Sequence, residues 1–156
     1  MANSEPFEAL VQRYENTLFR TASAILGDAQ EAEDILQDVF VKYLEKRPAF
    51  ENEQHERAWF IRVTVNACKT RLRSPWRRRI APLLESYPAH SSEEREALEA
   101  VLSLPPKERA AVHLHYYEGY KTAEIAAMTG EAEGTIRSRL SRARNRLKIM
   151  LKEEEW

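Results

Sequence analysis

Apolar residues recur along this chain at helical period, in long stripes separated by polar breaks. Phe7, Leu10, Val11, Tyr14, Leu18, Ala22 and Ile25 mark one face of a helix from about Pro6, a residue favoured in a first turn, to Leu26, with Gly27 ending it. Asp28 then predicts an N-cap, and Glu31 three residues on completes a capping-box pattern. The helix that follows is expected to bury Ile35, Leu36, Val39, Phe40, Tyr43 and Leu44 and to stop before Pro48. After a loop over Pro48–Gln54, a third helix runs from about Glu56 to Arg73 with Ala58, Ile61, Val65, Cys68 and Leu72 inward. Further helices are predicted over Glu93–Leu102 and Lys107–Glu118, on either side of Leu104-Pro105-Pro106.

Thr122–Leu147 carries the clearest functional signal. A short helix, Ala123–Met128, meets Gly130, where the turn needs a residue tolerant of positive φ. A longer helix begins near Glu133 and turns Ile136, Leu140, Ala143, Leu147 and Leu151 inward. Its opposite face carries Ser138, Ser141, Arg142 and Asn145, flanked by Arg137 and Arg144 on one side and Arg139 and Arg146 on the other. A glycine turn followed by a basic helix with small polar residues on its exposed N-terminal half describes a DNA-reading helix-turn-helix. Thr135, Arg137, Ser138, Ser141, Arg142, Asn145 and Arg146 are its candidate contacts.

Charge sharpens the picture because it is segregated. The total is only −1, yet Glu133–Lys152 holds seven Lys/Arg against one acid. Residues 1–47 hold nine acids and five bases, and Glu56–Arg79 holds eight bases and one acid. Two basic zones separated by acidic ones point to two nucleic-acid contacts and one surface for another partner. On the third helix, Trp59, Arg62, Asn66, Lys69 and Arg73 share a face beside the apolar stripe. An aromatic ring, an amide and long cations suit unpaired or unstacking DNA: rings stack on bases, amides bond base edges, cations hold phosphates.

Glu31, Asp34, Gln37 and Asp38 project from the second helix. No His accompanies them, so the Glu-x-x-His arrangement of a di-metal bundle is missing. The chain also lacks a phosphate-binding loop, a nucleophile elbow and a zinc spacing. The acidic face therefore reads as a protein-docking surface, with no catalytic, metal or cofactor site expected. His113 and His115 are expected to be packing residues.

With 31% charged residues, 4 Gly and no convincing alternation, the fold class is all-α: two small helical domains over 1–74 and 93–156, joined by a flexible linker over 75–92. That linker contains Pro75, Pro82 and Pro88 and no helical stripe. Each half is near the size where a core is marginal, so mutual docking or a partner is expected to stabilise it. The acidic N-terminus has no apolar core of a signal peptide, no apolar run approaches the ~20 residues of a membrane span, and Cys68 stands alone. A reduced cytoplasmic setting is expected, without membrane insertion.

Three segments together resemble the extracytoplasmic-function (ECF) class of bacterial RNA polymerase sigma factors: FEALVQRYENTLFRTASAILGDAQEAEDILQDVFVKYLE, RAWFIRVTVNACKTRLR and LPPKERAAVHLHYYEGYKTAEIAAMTGEAEGTIRSRLSRARNRL. They cover nearly the whole chain in the family's order. The resemblance implies that Asp34, Gln37 and Asp38 bind the clamp helices of the polymerase largest subunit. It implies that the Pro48–His55 loop and the Trp59/Arg62/Asn66 face capture and melt the minus-ten element, and that Arg137, Ser138, Ser141 and Arg142 read the minus-thirty-five element. The flap of the second-largest subunit and an anti-sigma factor are further partners it implies. Thr70 departs from the pattern, standing where many relatives carry an acid.

Two other readings account for less. A stand-alone helix-turn-helix regulator leaves the basic aromatic helix and the acidic helix without a role. A nucleic-acid-modifying enzyme would need the acidic cluster to bind a divalent metal.

Overall fold

In the computed structural model, residues 5–73 and 92–151 are described, and all their regular structure is helical. Helix α1 spans Phe7–Leu26, α2 Ala29–Lys46 and α3 Glu53–Leu72. In the second half α4 spans Ser92–Leu102, α5 Pro106–Val112, α6 Thr122–Thr129 and α7 Glu133–Leu151. A π-helical turn, His113–Tyr117, continues α5 where a single α-helix to Glu118 was expected. The predicted linker and its basic start lie outside the described residues, except for Ser92, which opens α4 rather than ending the linker.

The helix ends follow local chemistry. Pro6 is the N-cap of α1, one residue before the position expected for it, and Gly27 closes the helix at φ 73°. Asp28 caps α2 by accepting a hydrogen bond from the Glu31 N–H at 3.1 Å. Helix α3 starts three residues earlier than the apolar stripe indicated, because Asn52 accepts from the His55 N–H at 2.8 Å. Gly130 closes α6 at φ 74°, as the turn reading required.

Helices α1, α2 and α3 pack against one another around Leu10, Leu18, Ile25, Ile35, Val39, Phe60 and Ile61, each 2% exposed or less. Burying each of these large side chains is worth about 1.5–3 kcal/mol. The inward face of α3 is rotated from the expected one: Phe60 and Thr64 are buried, whereas Ala58 and Leu72 are half-buried. Stacked aromatic rings cause this. Phe60 lies 4.6 Å from Tyr14 and 5.6 Å from Tyr43, centroid to centroid, and draws that side of the helix inward. Leu44, expected inside together with Tyr43, is 38% exposed, and only Tyr43 of the two turns to the core.

Among the described residues the core does not stop at the boundary between the halves. Ala110, Ala111, Leu114, Ile125, Met128, Ile136 and Leu140 join the cluster built by α1–α3. Polar ties reinforce it. Arg109, 4% exposed, donates to the Leu102 carbonyl at 2.6 Å and also to the Ile25 carbonyl of α1. Arg20 of α1 bonds the Glu118 carboxylate at 3.2 and 3.3 Å, and the same carboxylate lies 2.9 Å from His113 Nε2. A smaller cluster of Ala100, Leu104, Ala143 and Leu147 fastens α4 to α7.

Candidate functional site

Helices α6 and α7 form the helix-turn-helix, braced at the turn by Thr122 Oγ1, which donates to Glu133 at 2.7 Å. Ile136, Leu140, Ala143 and Leu147 are buried as the stripe predicts, which fixes the rotation of α7. Ser138, Ser141, Arg142, Asn145 and Arg146 therefore face outward, with Arg137 beside them and Thr135 half-buried.

The five arginines of α7 all have partners. Arg137 pairs with Glu133 at 2.9 Å, and Arg139 is held bidentately by Glu131 at 2.6 and 2.7 Å. Arg144 donates to the Tyr116 hydroxyl at 2.8 Å. Arg146 and Arg142 both approach the Glu108 carboxylate of α5, at 3.0 and 3.7 Å. Only Glu133 belongs to α7 itself, so a reading of that helix alone saw uncompensated charge. Hydrogen bonding to Arg139 holds the Glu131 carboxyl below its ordinary range.

The α3 face divides. Arg62, Asn66 and Arg73 are exposed and Lys69 is half-buried. Trp59 belongs largely to the packing, 5.0 Å from Phe60, 5.9 Å from Phe50 and 6.2 Å from Tyr43 between ring centroids. Phe50 also meets His55 at 5.4 Å, so the loop before α3 is pinned to the aromatic cluster. Two of the cations face the second half of the chain. The Arg62 guanidinium fills the space beside Gly130, and Lys69 lies near Glu131, Lys107 and Arg139. Burial there lowers the Lys69 ammonium from its ordinary value.

On α2, Gln37 and Asp38 are exposed, while Asp34 accepts a hydrogen bond from Arg71 of α3 at 3.4 Å. Gln37 also lines a hollow between α1 and α2, floored by Phe7, Val11, Phe19, Leu36 and Phe40. The sequence reading missed that apolar floor, because its residues come from two helices and each stripe alone reads as core.

Elsewhere the polar groups are structural. Glu56 is 7% exposed and accepts from the Tyr14 hydroxyl at 2.7 Å and from Arg13 at 3.0 Å. Burial and this carboxylate push the Tyr14 hydroxyl well above its ordinary range. His113 stacks on Tyr117 and His115 Nδ1 meets the Tyr120 carbonyl at 2.7 Å, so both pack as expected. Among the described residues no cluster of three or more His, Cys, Asp or Glu is placed to hold a metal, and no helix is long and apolar enough to cross a membrane.

An α1–α3 bundle joined to a helix-turn-helix with an outward basic face is the architecture of a promoter-recognition factor. The family model "Sigma-70 region 2" matches residues 10–78, and "Sigma-70, region 4" matches 94–147. The chain is 35% identical over 150 residues to the ECF RNA polymerase sigma factor SigM of Mycobacterium tuberculosis, covering 93% of this chain and 76% of that protein. It is 30% identical over 163 residues to SigL of the same organism, covering 97% and 92%. Among solved structures, the sigma factor RpoE in complex with the anti-sigma factor NepR from Bartonella quintana matches with a TM-score of 0.75 at 28% identity, over 96% of this chain and 98% of that one. The chain belongs to the ECF RNA polymerase sigma factors, which direct the polymerase core to promoters.

Proposed function

We propose that residues 1–74 dock on the polymerase and engage the minus-ten element, and that residues 93–156 read the minus-thirty-five element. Asp38 and Gln37 contact the clamp helices of the largest subunit, with Asp34 held beside them by Arg71. The hollow floored by Phe7, Phe19 and Phe40 supports this reading, since it offers an apolar seat next to exposed acids. Arg62, Asn66, Lys69 and Arg73 hold the melting strand, with Trp59 stiffening the helix beneath them. The second half also meets the flap of the second-largest subunit. An anti-sigma factor restrains the chain in the cytoplasm until an envelope or other stress releases it, and the chain itself catalyses no reaction.

The observation that carries this reading is the outward set Ser138, Ser141, Arg142 and Asn145 on the second helix of the helix-turn-helix, in the same chain as the acidic face of α2. Run-off transcription with purified core polymerase on a genomic fragment library tests it. Discrete starts preceded by two spaced elements are expected only when the chain and the core are both present. Sequence-specific DNA binding that is unaffected by the core would instead assign the chain to the stand-alone regulators.

A further inference from the structure

Glu108 occupies an unusual position for a carboxylate. It lies on α5, outside the helix-turn-helix, and is 5% exposed. Its two oxygens address two arginines one turn apart on α7: Oε1 lies 3.0 Å from Arg146 Nε and Oε2 lies 3.7 Å from Arg142 Nε. Both arginine side chains remain about half exposed, at 52% and 55%.

The atoms used matter. An arginine whose Nε side faces a carboxylate keeps its Nη1 and Nη2 end for a second partner. That end is the fork that matches the O6 and N7 acceptors of guanine in a major groove. An arginine side chain left loose carries rotamer entropy, much of which it loses on binding. A carboxylate kept out of the solvent can hold the fork without meeting the DNA phosphates itself.

We propose that Glu108 is a positioning residue for base reading. By drawing the Nε sides of Arg142 and Arg146 toward its buried charge, it turns their forks outward to guanine edges of the upstream element, and Arg142 depends on it for discrimination. This rests on the reading that α7 contacts that element.

The test uses holoenzyme, formed from the full chain and core polymerase, on duplex promoter DNA identified by run-off transcription. Affinity is measured for the matched upstream element and for versions with each G·C pair replaced, across a salt series. Glu108→Gln keeps the shape and removes the charge. At the pair read by Arg142, its discrimination is expected to fall roughly fivefold to tenfold, the low end of a bidentate base contact. Binding to mismatched DNA should hold or tighten, because arginines released from Glu108 can take phosphates. In an Arg142→Ala background, Glu108→Gln should change discrimination at that pair no further.

Glu108→Asp supplies a second variant, with the charge kept but withdrawn by one methylene. Discrimination should fall there too, whereas a need for buried charge alone would be met by Asp. Full discrimination in both variants, or an equal loss at every sequence, would assign Glu108 to packing and overturn the proposal. Discrimination that survives Arg142→Ala would instead remove Arg142 as the reading residue, and with it the proposal for Glu108, while leaving the other outward residues of α7 as readers.

Discussion

Arg62 of α3 occupies the space that a side chain at position 130 would need: a Cβ built on Gly130 would lie 1.9 Å from Arg62 Nη2. Gly130 also has φ 74°, a conformation L-residues adopt at a cost. The glycine that shapes the helix-turn-helix thus also receives a cation from the other half of the chain.

Gly130→Ala is therefore expected to destabilise the protein by about 1–2 kcal/mol from backbone strain, with Arg62 swung aside. If the two residues are coupled, the penalty will be smaller in an Arg62→Ala background, as a double-mutant cycle in urea reads directly. Identical penalties in both backgrounds would show that only the turn is strained.

The buried carboxylate of Glu56 ties α3 to α1 through Tyr14. A hydrogen bond to a charged group is worth about 1.5–3 kcal/mol, so Tyr14→Phe should lower unfolding free energy by that order. Glu56→Ala should cost more, since it strands the Tyr14 hydroxyl as well. Urea titration followed by circular dichroism checks the order, and a smaller loss for Glu56→Ala would refute it.

Acidification should loosen the contact between α1 and the π-helical turn. Burial lowers the His113 pKa from 6.5; Glu118 and Arg20 face it, with Tyr117 stacked alongside. As pH falls below about 6.5 the unfolded chain takes up the proton first, so stability drops between there and the lower native value. The decline in thermal midpoint from about pH 7.5 to about pH 5.5 should be smaller in His113→Gln. An equal decline in the two proteins would place the acid sensitivity elsewhere.

Asp38→Arg reverses an exposed charge on α2 and should abolish co-purification with core polymerase while leaving the thermal midpoint within about a degree, as surface substitutions usually do. Undiminished co-purification would remove Asp38 from the docking surface.

Asn66→Ala should leave closed-complex binding near normal and reduce strand opening, because extruding a base needs compensating contacts worth a few kcal/mol. Permanganate reactivity of unpaired thymines, compared between wild type and variant on duplex promoter DNA, is the readout. Equal reactivity would mean that opening is driven from another face.

Much of this was legible in the chain. The α7 stripe from Ile136 to Leu147 specified which face points outward, because a period of 3.6 leaves one solution. Asp28 and Gly27 marked the break between α1 and α2 by their capping chemistry. Relations across distant segments were not legible. Glu108 looks like an ordinary helix-surface acid until α5 is laid against α7. Phe60 overrode the three-four stripe of α3 because its ring stacks on Tyr14 and Tyr43. The Asn52 cap sat in a stretch read as loop, since apolar periodicity says nothing about where a polar first turn begins.

The shared core sets a thermodynamic toll on anything that needs the two halves apart. Arg62 and Lys69 face the second half in the docked chain, so a ligand that draws both side chains away from it competes with the contact between α3 and α6. Its apparent dissociation constant rises by the inverse of the fraction already open. Each 1.4 kcal/mol of docking strength weakens binding by a factor of about ten, and a partner that holds the halves apart returns that factor. Conversely, a ligand that bridges the closed halves strengthens their docking by the full measure of its preference for that state.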